Sequence, residues 1–162
     1  MSHFTEDAKA IALALPVNHR LLGLDLGSKT IGMATSDLTR QVATPRETIR
    51  RTKFMADAKS LLDFAAKEDI GLLVLGLPIN MDGTEGPRAQ ATRAFARNLA
   101  KLSPLPLVYW DERLSTAAVT RTMLEADLSR AKRAENVDKL AAAYILQSFL
   151  DALRQSELAY PG

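Results

Sequence analysis

The stretch Leu21-Leu22-Gly23-Leu24-Asp25-Leu26-Gly27-Ser28-Lys29-Thr30-Ile31-Gly32-Met33-Ala34-Thr35-Ser36 decides the fold. Its first half is a short apolar run closed by Gly27-Ser28-Lys29, and a second run resumes at Ile31. Two strands joined by a tight turn are the simplest reading. A third extended stretch, Val42 to Ile49, contains Pro45, which cannot donate to a ladder and suits an edge strand. The first three strands therefore read as an antiparallel meander.

Outward from this block the period changes. Between Lys53 and Lys67, Phe54, Ala58, Leu61, Leu62 and Ala65 recur at helical spacing, with Lys59, Asp63 and Lys67 off that face. Gly71 to Leu77 is a near-continuous apolar run, the mark of a strand covered on both sides. Thr84-Glu85-Gly86-Pro87 opens a second helix, because Pro87 suits a first turn. Ala91, Phe95, Leu99 and Leu102 line one side of it, and Arg93, Arg97 and Lys101 form a solvated basic stripe. Leu105 to Trp110 reads as a further strand, after which Ser115 or Thr116 can cap a helix running to about Asp127. Leu128 to Glu135 reads as an exposed loop, and the last helix as Val137 to about Leu153. The order β-β-β-α-β-α-β-α-α predicts one α/β domain with a mixed sheet over residues 21–153. Residues 1–20 read as an N-terminal arm and residues 154–162 as a C-terminal tail.

Composition narrows the chemistry. A chain of 162 residues supports a single cooperative core without a metal or cross-link. With no cysteine, disulfide scaffolds, zinc ribbons, iron–sulfur sites and thiol catalysis are excluded. The two histidines, His3 and His19, lie near the N-terminus, so acid–base or metal chemistry must rest mainly on carboxylates. The net charge of +2 is too mild to name a polyanionic partner. The interior apolar runs fall far short of the ~20 residues of a membrane helix. Ala10 to Leu15 follows Glu6 and Asp7 and ends at Pro16, which does not read as an export signal. A cytoplasmic protein is the expectation.

Three placements of acidic residues carry the functional argument. Asp25 stands mid-strand between Leu24 and Leu26, where an ionised carboxylate requires a salt bridge, hydrogen bonds or a cation. Lys29 or another base would supply the first of these. Asp111-Glu112 closes the last strand, at the end of an open α/β sheet where ligands gather. One of the pair could equally cap the helix that follows. Asp138, one residue into the predicted last helix, suits a first turn through the helix dipole, with Glu135 three residues earlier. Together these acids offer only hard oxygen donors, the type that Mg²⁺ takes alongside water and substrate phosphate. Carboxylates drawn from separate elements are also what a pair of ions clamping a phosphodiester requires.

Four blocks resemble the signatures of one family. They are Gly23-Leu24-Asp25-Leu26-Gly27-Ser28-Lys29-Thr30-Ile31-Gly32-Met33-Ala34-Thr35-Ser36-Asp37, Gly76-Leu77-Pro78-Ile79-Asn80-Met81-Asp82-Gly83-Thr84-Glu85-Gly86, Asp111-Glu112-Arg113-Leu114-Ser115-Thr116 and Val137-Asp138-Lys139-Leu140-Ala141-Ala142-Ala143-Tyr144-Ile145-Leu146. In order and spacing, from about Leu21 to Leu153, they are similar to the YqgF family, also called RuvX. These are bacterial pre-16S rRNA nucleases once described as Holliday junction resolvases. The resemblance implies an RNase H-like fold with a five-stranded sheet in order 3-2-1-4-5. It also implies Mg²⁺-dependent cleavage, with Mn²⁺ as a substitute ion, in the cytoplasm and on nucleic acid. The substrate it favours is precursor 16S rRNA at its 5′ end, with branched DNA as the alternative and ribosomal precursors as partners.

Carried over by position, the resemblance makes Asp25, Asp138 and Glu112 the catalytic metal ligands, with Asp111 the other member of its pair. Asp82 and Glu135 are reserve acids. Lys29, Arg88 and Arg113 are the expected phosphate contacts, which position a backbone without reading its sequence. Many family members carry Lys-Arg where this chain has Lys29-Thr30, so one such contact is missing. Small Gly76, where related resolvases have an acid, is expected to leave room for Glu112 to reach across the sheet. Three other readings compete: a resolvase, which needs a stable dimer; an ATP-binding member of the actin, Hsp70 and sugar-kinase group; and a non-catalytic RNA-binding assembly module. The kinase-type fold needs two domains, and this chain suffices for one. A monomer or weak dimer is expected.

Overall fold

The computed structural model describes residues 3–15, 18–117 and 130–159. Five strands form one sheet: β1 (Arg20–Leu26), β2 (Thr30–Ser36), β3 (Ala43–Arg50), β4 (Ile70–Leu77) and β5 (Leu107–Asp111). Their order is β3-β2-β1-β4-β5. The β1–β2 and β2–β3 pairs are antiparallel, while β1–β4 and β4–β5 are parallel. The meander predicted from the first three strands is therefore correct, and β3 with Pro45 lies at an edge.

Period-two alternation divides the sheet into two faces. On one, Leu22, Leu24, Ile31, Met33, Leu73 and Leu75 pack against α2 (Phe54–Lys67) and α3 (Pro87–Ala100). On the other, Leu21, Ala34, Leu72, Val74 and Trp110 meet α1 (His3–Ala14) and a long helix, α4 (Arg130–Ala159). The segment read as an N-terminal arm thus forms a helix, and its Ala8 and Ala12 are fully buried. Asp57, itself buried in the first turn of α2, accepts from the backbone N–H of Thr52 at 3.0 Å and anchors the start of that helix.

Three readings of the sequence need correction. Residues 130–135, expected in an exposed loop, are already helical, and α4 runs on through most of the predicted tail to Ala159. Asp138 is therefore not a first-turn residue, and the helix dipole does not explain its place. The buried face of α3 is Ala89, Thr92, Phe95, Ala96 and Leu99, whereas Ala91 and Leu102 are exposed. Arg93 leaves the solvated stripe, pairing with both oxygens of Glu85 at 2.6 and 2.8 Å and lying over the Tyr109 ring. The helix expected to end near Asp127 lies outside the described residues beyond Ala117. Ser115 shows its capping geometry, accepting from Ala117 N at 3.3 Å. Among the described residues no helix is long and apolar enough to cross a membrane.

The α4 helix lies across β1, β2 and β3, and close approach is possible because of glycine. A methyl group added to Gly32 would fall within the backbone carbonyl of Asp138. One added to Gly76 would collide with the tip of Ile145. Gly76 accordingly makes room for α4, a role beyond the expected one of leaving space for Glu112. Gly32→Ala should destabilise the fold by about 1–3 kcal/mol through overpacking. Gly86→Ala is the control, since its nearest neighbour would stand 3.6 Å away, and it should cost no more than about 1 kcal/mol. Chemical denaturation of both variants measures the contrast, and equal stability would contradict it.

Candidate active site

The site is built from β1 outward. Leu22, Leu24 and Leu26 occupy the α2/α3 face, so alternation turns Asp25 to the α4 face, where it is 1% exposed. Its register partner on β2 is Gly32, the residue on which the Asp138 backbone rests. Two acids 113 positions apart in sequence are thereby brought to neighbouring positions, one on the sheet and one on the helix above it. Asp138 is also buried, and the Thr30 hydroxyl donates to its Oδ2.

The base that faces Asp25 is Arg88, one Nη of which lies 4.0 Å from its Oδ1. The same guanidinium donates to the Leu26 carbonyl at 3.2 Å. Half of the Arg88 side chain remains exposed, so it borders both the buried acid and solvent. Lys29 is exposed in the β1–β2 turn. Arg51, which sequence reasoning missed, donates to the Gly27 carbonyl at 2.7 Å and braces this turn from β3. Its only signal in the sequence is the basic pair Arg50-Arg51 at a strand end.

The ambiguity between Asp111 and Glu112 narrows in the structure. Asp111 is occupied: it caps a single 3₁₀ turn (Glu112–Leu114) by accepting from Arg113 N at 3.0 Å. It also accepts from the Arg113 guanidinium at 2.7 Å, a pairing that raises the Arg113 pKa. The capping alternative thus applies to Asp111. Glu112 opens the 3₁₀ turn directly after Trp110 and Asp111 of β5, and both its carboxylate oxygens are buried. The Trp110 indole N–H donates to Ser148 Oγ at 3.0 Å, which in turn donates to the Leu114 carbonyl at 2.8 Å. These bonds lock the end of β5 to α4. Trp110 also packs edge-on to Phe149, so its role is packing.

Asp82 serves its own loop. Its carboxylate accepts from the Thr84 N–H at 3.0 Å and the Thr84 hydroxyl at 2.6 Å, and these bonds hold its pKa below the ordinary value. Arg113 reaches the same loop through the Asn80 carbonyl at 3.4 Å. Glu135 lies in α4, one helical turn before Asp138.

The donor set, carboxylate oxygen throughout, suits a hard divalent cation and not a soft one. Among the described residues no group of three or more His, Cys, Asp or Glu has the spacing to enclose an ion. Asp25 and Asp138 occupy neighbouring positions through Gly32, whereas Glu112 follows the end of a strand two places from β1. That arrangement fits a cation that draws its remaining ligands from water and substrate phosphate, as Mg²⁺ does. It does not fit a closed protein cage.

The chain matches the RuvX family profile, described as Holliday junction resolvase, over residues 19–152. A relative from Paramagnetospirillum magneticum is 65% identical over 138 residues, covering 85% of this chain and 89% of its own. One from Rhodobacter capsulatus is 63% identical over 142 residues, covering 88% and 89%. Each carries the name "Putative pre-16S rRNA nuclease". Among solved structures, Thermus thermophilus RuvC in complex with a Holliday junction substrate superposes with a TM-score of 0.54 at 12% identity. It covers 84% of this chain and 96% of that one. The likeness to RuvC shows a shared architecture, and the profile match together with the close relatives shows that the chain belongs to the RuvX family.

Proposed function

We propose that this chain is a divalent-cation-dependent endonuclease that hydrolyses phosphodiesters at the 5′ end of precursor 16S rRNA, acting in the cytoplasm on ribosomal precursors. The observation that carries this reading is the junction of Asp25 and Asp138. Two buried acids from distant parts of the chain meet where β1, β2 and α4 converge. Burying carboxylates at neighbouring positions is costly; Arg88 and the Thr30 hydroxyl offset part of that cost and leave acidic oxygens available to a cation. Relatives at 65% and 63% identity bearing the pre-16S rRNA nuclease name supply the substrate class.

Asp25, Asp138 and Glu112 would hold the cation, Mg²⁺ or Mn²⁺. Bound there, it supplies a Lewis acid for the phosphoryl oxygens and lowers the pKa of water. The remaining work belongs to this chain's own side chains. Arg88 offsets the charge of Asp25 and has enough exposed length to reach a phosphate beside it. Arg113, oriented by Asp111, and Lys29, at the tip of the β1–β2 turn, would position the backbone from two sides. Asp111 thus acts through Arg113, and Glu112 is the acid of that pair assigned to the cation. With Trp110 committed to the core, that residue offers no face for base stacking, and substrate choice is assigned to the shape of the folded nucleic acid.

A four-way DNA junction is the second substrate to test, because the matching family profile carries the resolvase description. Purified protein should cleave a ribosomal RNA precursor in Mg²⁺, not in chelator, and should leave a synthetic junction intact. Asp25→Asn, Asp138→Asn and Glu112→Gln should each lower the rate at least about a hundredfold, while Asp111→Asn should act mainly through KM. Cleavage at the wild-type rate in Asp25→Asn or Asp138→Asn, or in chelator, would sink the mechanism. Lys29→Ala and Arg113→Ala should each reduce the salt slope of RNA binding by about one, with little change in substrate preference. Filter binding across a salt series measures this.

A further inference from the structure

We propose that Thr30 is a positioning residue for Asp138, its hydroxyl fixing the orientation of the carboxylate; the inference rests on the cation-binding role assigned to Asp138 above. Thr30 Oγ1 donates to Asp138 Oδ2, a bond between residues 108 positions apart, both of them buried. This placement gives position 30 a partner inside the fold. The residue is 4% exposed beneath α4.

The hydroxyl is held in a fixed direction. The Thr30 backbone is secured on both sides, its carbonyl accepting from Gly27 N at 2.8 Å and its residue pairing with Arg50 of β3. A β-branched side chain on such a backbone has little χ1 freedom. The terminal torsion of an aspartate, by contrast, is broad and has no strong preference of its own. Without a directed donor the Asp138 carboxylate would rotate within its niche. Gly27 completes the socket from the other side: a Cβ there would stand 2.6 Å from the same Oδ2. One oxygen is thereby seated between the turn and the hydroxyl.

The chemistry of the donor matters as much as its place. An arginine or lysine at this point would orient the carboxylate and also neutralise it, in competition with a cation. A hydroxyl orients it and leaves its full negative charge. Outer partners of this kind commonly change metal affinity by about ten- to a hundredfold when removed.

The test is Mn²⁺ titration by calorimetry on the full chain, with thermal unfolding in chelator as the check on folding. Thr30→Val, which keeps the shape and removes the donor, should weaken Mn²⁺ binding by about tenfold or more. Thr30→Ser, which restores the donor, should lie within about threefold of wild type. Equal affinity in wild type and Thr30→Val overturns the inference alone. So does a Thr30→Ser variant as weak as Thr30→Val, since side-chain volume would then be the cause. If Thr30→Val does not fold, Gly27→Ala tests the same socket with the hydroxyl retained: it should weaken Mn²⁺ binding, and unchanged affinity overturns the proposal. A wild-type protein that binds no Mn²⁺ and cleaves no RNA overturns the cation reading itself, and this inference with it.

Discussion

The contact between the α4 backbone and Gly32 is the constraint from which the rest of the molecule follows. A helix normally stands off a sheet by the length of the side chains between them. Here the carbonyl of Asp138 occupies the space where a side chain of β2 would be. That proximity allows an aspartate, with a single methylene, to come beside another aspartate on β1. Two turns further along the same helix, Ile145 fills the space that a side chain at Gly76 would take, and the helix passes over β1, β2 and β3. Catalytic geometry and core packing are therefore one problem in this protein, solved by the same few missing methyl groups.

The two faces of the sheet divide their duties accordingly. The α2/α3 face is filled by large aliphatic and aromatic residues and carries none of the buried acids assigned to the cation. The α4 face combines alanines, glycines and the buried carboxylates of Asp25 and Asp138, with buried Glu112 in the turn that follows β5. A face so rich in small residues buries less apolar area per position, and α1 adds Ala8 and Ala12 over it. Basic residues gather at the rim, each holding part of the scaffold: Arg88 the Leu26 carbonyl, Arg51 the Gly27 carbonyl, Arg113 the Asp111 carboxylate.

Much of this was legible in the residues alone, for reasons that can be stated. Alternation and period revealed the strands, through the apolar runs at 21–26 and 71–77, and the antiparallel meander with Pro45 at an edge, while the order of the five strands came from the resemblance. Asp25 stood out because it interrupts an apolar strand, Asp111-Glu112 because the pair closes the last strand, and Asp138 through its place near the start of the last predicted helix. What escaped was what depends on distance across elements. Alternation on an isolated helix could not tell that Ala89 and Thr92, not Ala91, would face the sheet. The low apolar content of residues 130–135 read as a loop although their backbone is helical. Thr30 looked like an absent phosphate contact because its partner lies 108 positions away. Gly76 was read as space for a side chain on the neighbouring strand, while the helix above had a prior claim on it.

The single tryptophan of the chain has a further consequence. Trp110 is buried on the α4 face, hydrogen-bonded to Ser148 and stacked edge-on against Phe149, both on α4, and adjoins Asp111 and Glu112. Its near-ultraviolet emission is therefore a native optical probe of one particular seam, the junction where the last helix closes over the acidic end of the sheet. Loosening of α2 or α3 on the opposite face would leave that signal almost untouched. Far-ultraviolet dichroism weighs all helices together, so the two spectra separate the assembly of the active end from the folding of the whole.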